Sequence, residues 1–500
     1  MRVPLSWLRD FVPVDVPVER LVAVLDELGL PVESVTRIGE GLDGVVVAEV
    51  RTIAPIEGAD RIRQVTVDAG GEAVSVVCGA WNFSEGDRVP LAPVGTVLPN
   101  GMAIARRKMR GVESNGMLCS PPELGLVGDG EGLLVLDGEA PAGTPIADAL
   151  GIVPDVVLEL EVNANRPDAS SILGVARDVA AKLELPLTVP PVPAAPEGSA
   201  PVDELASVVV EDTEVCGRFV ARVLTGVEIG PSPPWLAGRL TAAGMRPINN
   251  VVDASNYVML ELGIPNHTYD LARLPGRGLR VRAARDGEVL VTLDGVERRF
   301  VAGDCLICDA KDVPVGIAGI MGGASSEIGE STTEVLLEAA WWKPMAIART
   351  SKRLGLRTEA SARFERGTDP EAIDRAVARF CELLAAGGAV VAPGVIDVRT
   401  PALPEPVVVR TRTARVNALL GTSLADGDVR RLLDALGFTT TATAGSRPTR
   451  SRADGARKVG VHASEQPVPW RTSRALRRRR WNGVSAPVCG LRGTARGIRL

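Results

Sequence analysis

The chain has 500 residues, 45% of them apolar, and a formal net charge of −6, enough for about three or four domains with real cores. No apolar run approaches the length of a membrane span, and the opening MRVPLSWLRDF lacks the apolar stretch of a secretion signal. Together these features point to a cytoplasmic protein with no membrane partner, and the seven scattered Cys, with the pair Cys305 and Cys308, read as ordinary thiols in a reducing compartment.

In chain order, residues 17–28 predict a helix, because Leu21, Val24, Leu25 and Leu28 share one face and Gly29 suits the position after its end. From residue 41 to 149 the texture changes to short β-rich runs split by Gly and Pro, such as GVVVAEVRTI, RQVTVDAG and AVSVVCG. That spacing predicts a small barrel, with the oligonucleotide-binding (OB) barrel as one option. A helical pattern returns at 171–183, so one small α/β domain (1–40 plus 150–185) is expected to be interrupted by the barrel. Residues 186–205 form a Pro-rich linker. A mixed α/β domain is expected over 206–395, ending in a helix with Asp369 as its cap and Pro370 at its first position. A partial helical module follows at 402–442, with helices near 414–420 and 424–436. The fold class is therefore α+β, multidomain.

Charge is uneven along this plan. From Arg447 onward fourteen Lys/Arg stand against two acids, so that stretch carries +12 and the rest −18. Residues 446–500 have no sustained periodicity and read as a disordered tail, either an out-of-frame translation of a GC-rich gene or a basic RNA-binding segment.

The most informative stretch is RPINNVVDASNYVMLELGIPNHTYD (246–270). It holds His267, one of only two His, and both Tyr of the chain, Tyr257 and Tyr269, among four Asn and apolar neighbours. Buried amides and imidazoles are costly unless paired, so the cluster marks a polar network or a site.

Four blocks carry a resemblance. They are MRVPLSWLRDFV at the start, GVESNGMLCSPPELGL (111–126), VVLELEVNANRPDASSILGVARDVAA (156–181), and residues 246–270 together with GIAGIMGG (316–323), VLLEAAWWKP (335–344) and LRTEASARFERGTDP (356–370). These resemble the β subunit of bacterial phenylalanine–tRNA ligase, from residue 1 to about 440. Two departures stand out: Ile56-Glu57-Gly58 replaces the family's His-Pro-Asn, and Ala169 its usual Cys. The resemblance implies an OB-fold tRNA-binding domain, an editing domain of the B3/B4 type over 206–395, and a partial B5-like module lacking the half to which the family assigns magnesium.

What the resemblance implies about activity is a ligase subunit. It would work with an α subunit in an α2β2 heterotetramer, bind tRNA but not DNA, and hydrolyse mischarged Tyr-tRNA. ATP and Mg2+ serve the whole ligase; none is expected on this chain, which has no GxxxxGK[ST] loop, and no metal site is assigned. By similarity Glu338 would accept a hydrogen bond from the tyrosine hydroxyl, and His267 would hold the hydrolytic water or the tRNA end. Arg246 and Asn250 would line the same pocket, or else brace the turn around Pro247. Thr358 would offer a hydroxyl, and Ala360 would leave room for the ring. The GIAGIMGG glycines either bring backbone N–H groups to the ester or form a tight turn. Arg363, Glu365 and Arg366 read as a structural ion-pair ladder. On the barrel, Arg106, Arg107, Lys108 and Arg110 either contact tRNA phosphates or form a solvated charged edge. Three other readings compete with the ligase subunit: a free-standing editing hydrolase, a non-catalytic tRNA-binding or assembly fragment, and a non-functional product of a damaged gene.

Overall fold

The computed structural model describes residues 1–126, 130, 132–136, 138, 140–405, 407–443 and 458–463. Arg2–Pro4 and Val32–Ile38 do not pair with each other; Asp155–Leu160 lies between them, antiparallel to both. One core explains the arrangement. Leu158 and Leu160 of that strand pack with Trp7 and Leu8 of helix Leu5–Arg9, Leu21 and Leu25 of helix Val18–Glu27, and Val175 and Val179 of helix Ile172–Leu183. Ser171 starts the last of these helices by accepting a 3.0 Å hydrogen bond from the Gly174 N–H. The residues between 38 and 155 are thus looped out of this sheet.

The looped-out residues build a five-stranded antiparallel sheet in the order Val74–Cys78, Ala59–Asp68, Val46–Ile56, Arg88–Pro93, Gly116–Leu118. Its ends nearly meet. The Asn115 N–H donates to the Ser75 carbonyl at 2.9 Å, and the Val77 N–H to Ser114 Oγ at 3.0 Å. Alternate residues, among them Val65, Val67, Val76, Val89 and Leu91, fill the interior. Near closure leaves few unpaired strand edges.

The next region stacks two sheets. The first has the order Asn266–Asp270, Glu334–Trp342, Cys216–Thr225, Val390–Val391, with Ile396–Arg399 also on Cys216–Thr225. The second has the order Ser207–Val210, Gly278–Ala283, Cys305–Asp309, Pro314–Ile317, Met321–Gly322. Strand periodicity assigns the faces. Val335, Leu337, Ala339 and Trp341 pack against helices Asn250–Leu262 and Ile373–Ala385, while Leu336, Ala340 and Trp342 face the second sheet. Glu338 shares the parity of the second set and so points between the sheets. The terminal helix begins at Ile373, later than expected: Asp369 Oδ1 caps only a turn, accepting the Glu371 N–H at 2.9 Å.

Beyond the Pro-rich stretch, helices Thr413–Leu420 and Asp426–Ala435 accompany a three-stranded sheet in which Lys458–Ala463 lies between Val408–Arg412 and Phe438–Thr443. This corrects the reading of 446–500 as wholly disordered. The sequence KVGVHA alternates β-branched with small or polar residues, and it pairs with two strands whose edges would otherwise be open. The rest of the basic stretch lies outside the described residues. Among the described residues no helix is long and apolar enough to cross a membrane.

Candidate active site between two sheets

His267 and Glu338 are cross-strand partners in the antiparallel pair of Asn266–Asp270 with Glu334–Trp342. Alternation puts His267 and Tyr269 on the same face as Glu338. All three line one cavity of about 70 Å3, together with Pro265, Asn266, Met321, Gly322 and Ala360. Tyr269 Oη donates to Glu338 Oε2 at 2.5 Å, and the His267 and Tyr269 rings meet edge to face with centroids 4.6 Å apart. Among the described residues neither His267 nor Glu338 forms an ion pair.

Burial sets the electrostatics. It lifts the Glu338 carboxyl to about 7, against the opposing hydrogen bond from Tyr269. It lowers the His267 imidazole to about 4. At neutral pH the imidazole is therefore uncharged while the carboxyl sits near its midpoint. A base this weak holds and polarises water better than it takes a full proton.

Gly322 presses flat against the imidazole. A Cβ on it would lie 2.4 Å from His267 Nε2 and Cε1. Gly319, at φ +66°, turns the chain between Pro314–Ile317 and Met321–Gly322, and a Cβ there would meet Trp342 Cδ1 at 2.8 Å. The GIAGIMGG glycines are therefore a tight strand turn that also makes room for the histidine.

The other expected residues divide. Ala360 lines the cavity. Thr358 does not. It caps helix Glu359–Phe364, accepting the Ser361 N–H at 3.1 Å, and its hydroxyl donates to the Ile320 carbonyl at 2.9 Å. A helix start has unpaired N–H groups, and this threonine serves them rather than the cavity. Asn250 is also elsewhere: Nδ2 donates to the Glu228 carbonyl at 2.8 Å, and Oδ1 accepts the Gly230 N–H at 3.3 Å, so its amide pins a loop. Arg246 is exposed on the approach to helix Asn250–Leu262 and does not line the cavity. Tyr257 belongs to the first core, stacked on Trp7 at 4.4 Å and accepting from Arg239 Nη1 at 2.9 Å. The ion-pair ladder takes other partners: Arg363 pairs with Glu359 at 2.7 Å, and Glu365 with Arg357 at 3.4 Å.

Asn266, one of the four Asn of the 246–270 cluster, and Gly322, in the GIAGIMGG run, have no individual role in the sequence reading, and both line the cavity. Asn266 Nδ2 donates to the Ser255 and Ile264 carbonyls, which leaves Oδ1 buried and without a partner beside the cavity. Its place next to His267 was the available signal.

On the barrel, Arg107–Met109 and Val112–Ser114 form a hairpin whose tip is Arg110, at φ +49°, and Gly111. Arg106, Arg107, Lys108 and Arg110 are all exposed, and none is ion-paired among the described residues. Arg107 alone of the four lines a larger cleft of about 440 Å3. Arg63 lies over the exposed Trp81 ring at 4.3 Å. No group of three or more His, Cys, Asp or Glu among the described residues is placed to hold a metal ion.

Residues 45–145 match the putative tRNA binding domain family, and residues 215–387 match the B3/4 domain family. Over 444 residues the chain is 48% identical to the phenylalanine–tRNA ligase β subunit of Geobacter sulfurreducens, a match covering 88% of this chain and 55% of that one. The corresponding subunit of Anaeromyxobacter dehalogenans is 47% identical over 447 residues, with 89% and 55% covered. The chain spans about half the length of these relatives. On these matches, the chain belongs to the phenylalanine–tRNA ligase β-subunit family.

Proposed function

We propose that the chain supplies the tRNA-binding and editing functions of a cytoplasmic phenylalanine–tRNA ligase, removing tyrosine wrongly joined to the tRNA. The observation that carries this is the sharing of one cavity by His267 and Glu338, the second already bound to a phenol. Editing has a physical motive. An apolar pocket rejects an added hydroxyl by only about a hundredfold, so tyrosine needs a second site that binds its hydroxyl. Glu338 provides the acceptor, and Ala360 keeps the wall low where the ring would lie. Neutral His267 holds the water that attacks the ester carbonyl; the ester C–O bond breaks, and tyrosine and free tRNA leave. The joining reaction, with its ATP and magnesium, falls to the α subunit in an α2β2 assembly; we assign the B3/B4-like editing domain to 206–395 and the OB-fold domain to 41–149. The basic hairpin beside the barrel cleft, without ion pairs among the described residues, suits phosphate contact rather than base readout.

The purified chain, with and without the α subunit, should release tyrosine from Tyr-tRNA faster than phenylalanine from Phe-tRNA. His267→Ala and Glu338→Ala should lose that release while keeping the parent's secondary structure by circular dichroism. A second reading, tRNA binding without hydrolysis, is favoured by the cavity's small size, because a space of about 150 Å3 is what admits benzene. Binding of tRNA with no deacylation under either condition would establish it. Activity without the α subunit would mark a self-sufficient hydrolase.

A further inference from the structure

The carboxylate read as the phenol acceptor already holds a phenol from its own chain. Tyr269 Oη donates to Glu338 Oε2 at 2.5 Å, and Tyr269 is fully buried. Its place is fixed on both sides. The backbone of Asn266–Asp270 runs in register with Glu334–Trp342, and the ring edge meets His267. Glu338 has two oxygens and about four lone-pair sites, so one phenol does not fill it. Oε1 accepts no hydrogen bond among the described residues. Nothing else there neutralises the carboxylate. The titratable groups around it are His267 and Tyr269 on one neighbouring strand and Cys216 on the other; Cys308 in the facing sheet acts on Tyr269. No Lys or Arg pairs with it among the described residues.

We propose that Tyr269 is a positioning residue for substrate selection: its hydroxyl fixes the Glu338 carboxylate through Oε2 and leaves Oε1 as the acceptor for the tyrosine of a mischarged tRNA. The inference rests on the editing reading above. It adds that the discriminating unit is a pair of side chains rather than a lone glutamate. The hydroxyl of Tyr269 also acts on charge. Its hydrogen bond is the influence that opposes burial at Glu338, so removing it drives the carboxyl further up.

The test is Tyr269→Phe, which keeps the ring and deletes only the donor. Tyr-tRNA deacylation is followed from about pH 5.5 to 9, and the melting temperature is measured at each pH. The KM for Tyr-tRNA should rise by about tenfold, the scale of one hydrogen bond, and the acid limb of the rate profile should move to higher pH. Stability gives an independent reading. In both proteins the folded carboxyl titrates above its unfolded value, so the Glu338 contribution to stability falls as pH rises toward the folded pKa, and above pH 6.5 the His267 contribution no longer offsets it. The parent flattens once it passes about 7, whereas the variant keeps falling, so the gap in melting temperature widens above neutral pH. A lower KM would show Tyr269 to be a competitor for Glu338, and an unmoved KM and acid limb would show it to be a bystander; either overturns the inference. If the parent releases no tyrosine, the editing reading fails by itself, and a melting gap independent of pH then overturns the coupling of Tyr269 to Glu338.

Discussion

Replacing Gly322 with alanine tests whether the position of the His267 ring governs hydrolysis. Gly322 lies in the strand Met321–Gly322 and is not among the positive-φ glycines, so its backbone accepts alanine without strain. The added methyl is the whole perturbation. It would stand 2.4 Å from His267 Nε2 and Cε1 and 3.3 Å from Leu293 Cδ1, whereas ordinary contact begins at 3.4 Å. The imidazole must therefore retreat by about 1 Å, and the edge of Tyr269 limits its path. Overpacking of this size costs about 1–3 kcal/mol, which lowers the melting temperature by roughly 2–4 °C per kcal/mol for a domain of this size. A displacement of about 1 Å at a reacting group costs about a hundredfold in rate. The assay is Tyr-tRNA deacylation by the parent, Gly322→Ala, His267→Ala and the double variant, each checked for folding. Because the methyl acts through the imidazole, the double variant should be no slower than His267→Ala. A folded Gly322→Ala protein that hydrolyses at the parent rate, or additive losses in the double variant, would refute the reasoning.

Other consequences are open to measurement. His267 is held at about 4, so folding releases its proton and stability rises with pH up to its ordinary value of 6.5; Glu338 is held at about 7, so stability falls from its ordinary value of 4.5 up to that point. Each shift amounts to about 3 kcal/mol, and the two opposing slopes nearly cancel in the parent. In chemical denaturation at several pH values, His267→Gln should lose stability between pH 4.5 and 7, and Glu338→Gln should gain it over the window where His267 titrates; flat profiles in both would contradict the two shifts. Ala360→Trp fills the cavity wall, so it should abolish tyrosine release with little change in tRNA affinity; undiminished release would place the substrate elsewhere. Changing Arg106, Arg107, Lys108 and Arg110 together to Ala should weaken tRNA binding and flatten its dependence on log salt by up to about three units if all four meet phosphate. An unchanged salt slope would leave the hairpin as a solvated edge.

Periodicity made the scaffold legible where one face is buried. The helix around Leu21, Val24 and Leu25 and the helix returning at 171–183 follow from apolar spacing, and the barrel follows from β-rich runs cut by Gly and Pro. Pairing is a long-range property, so the lie of Asp155–Leu160 between two earlier strands had only the resemblance to suggest it. At the site, His267, Glu338 and Ala360 line one cavity. Thr358 and Asn250 do not join them, because short polar side chains near helix starts have a competing use in pairing backbone groups, and a motif does not reveal which use prevails. The bond from Tyr269 to Glu338 joins residues 69 positions apart, and only strand register brings them together.

Register also explains how the cavity can be both polar and tight. Its carboxylate, imidazole and phenol come from two paired strands, whose ladder hydrogen bonds fix them to one another. The facing wall is different: the turn at 318–320 is tied by the Ile320 N–H to the Ile317 carbonyl at 3.0 Å and by the Thr358 hydroxyl to the Ile320 carbonyl at 2.9 Å. A space of about 70 Å3 is half of the roughly 150 Å3 that admits a benzene ring, so it encloses only part of a substrate phenol. Shifting the strands would break the register that aligns the polar groups; the turn is held as well by the Ala318 N–H on the Cys305 carbonyl at 3.1 Å and by the burial of Ala318 and Ile320 in the core. Thr358 therefore bears on the cavity without facing it, through the carbonyl it holds. For the proposed hydrolysis, the aligned strands supply recognition.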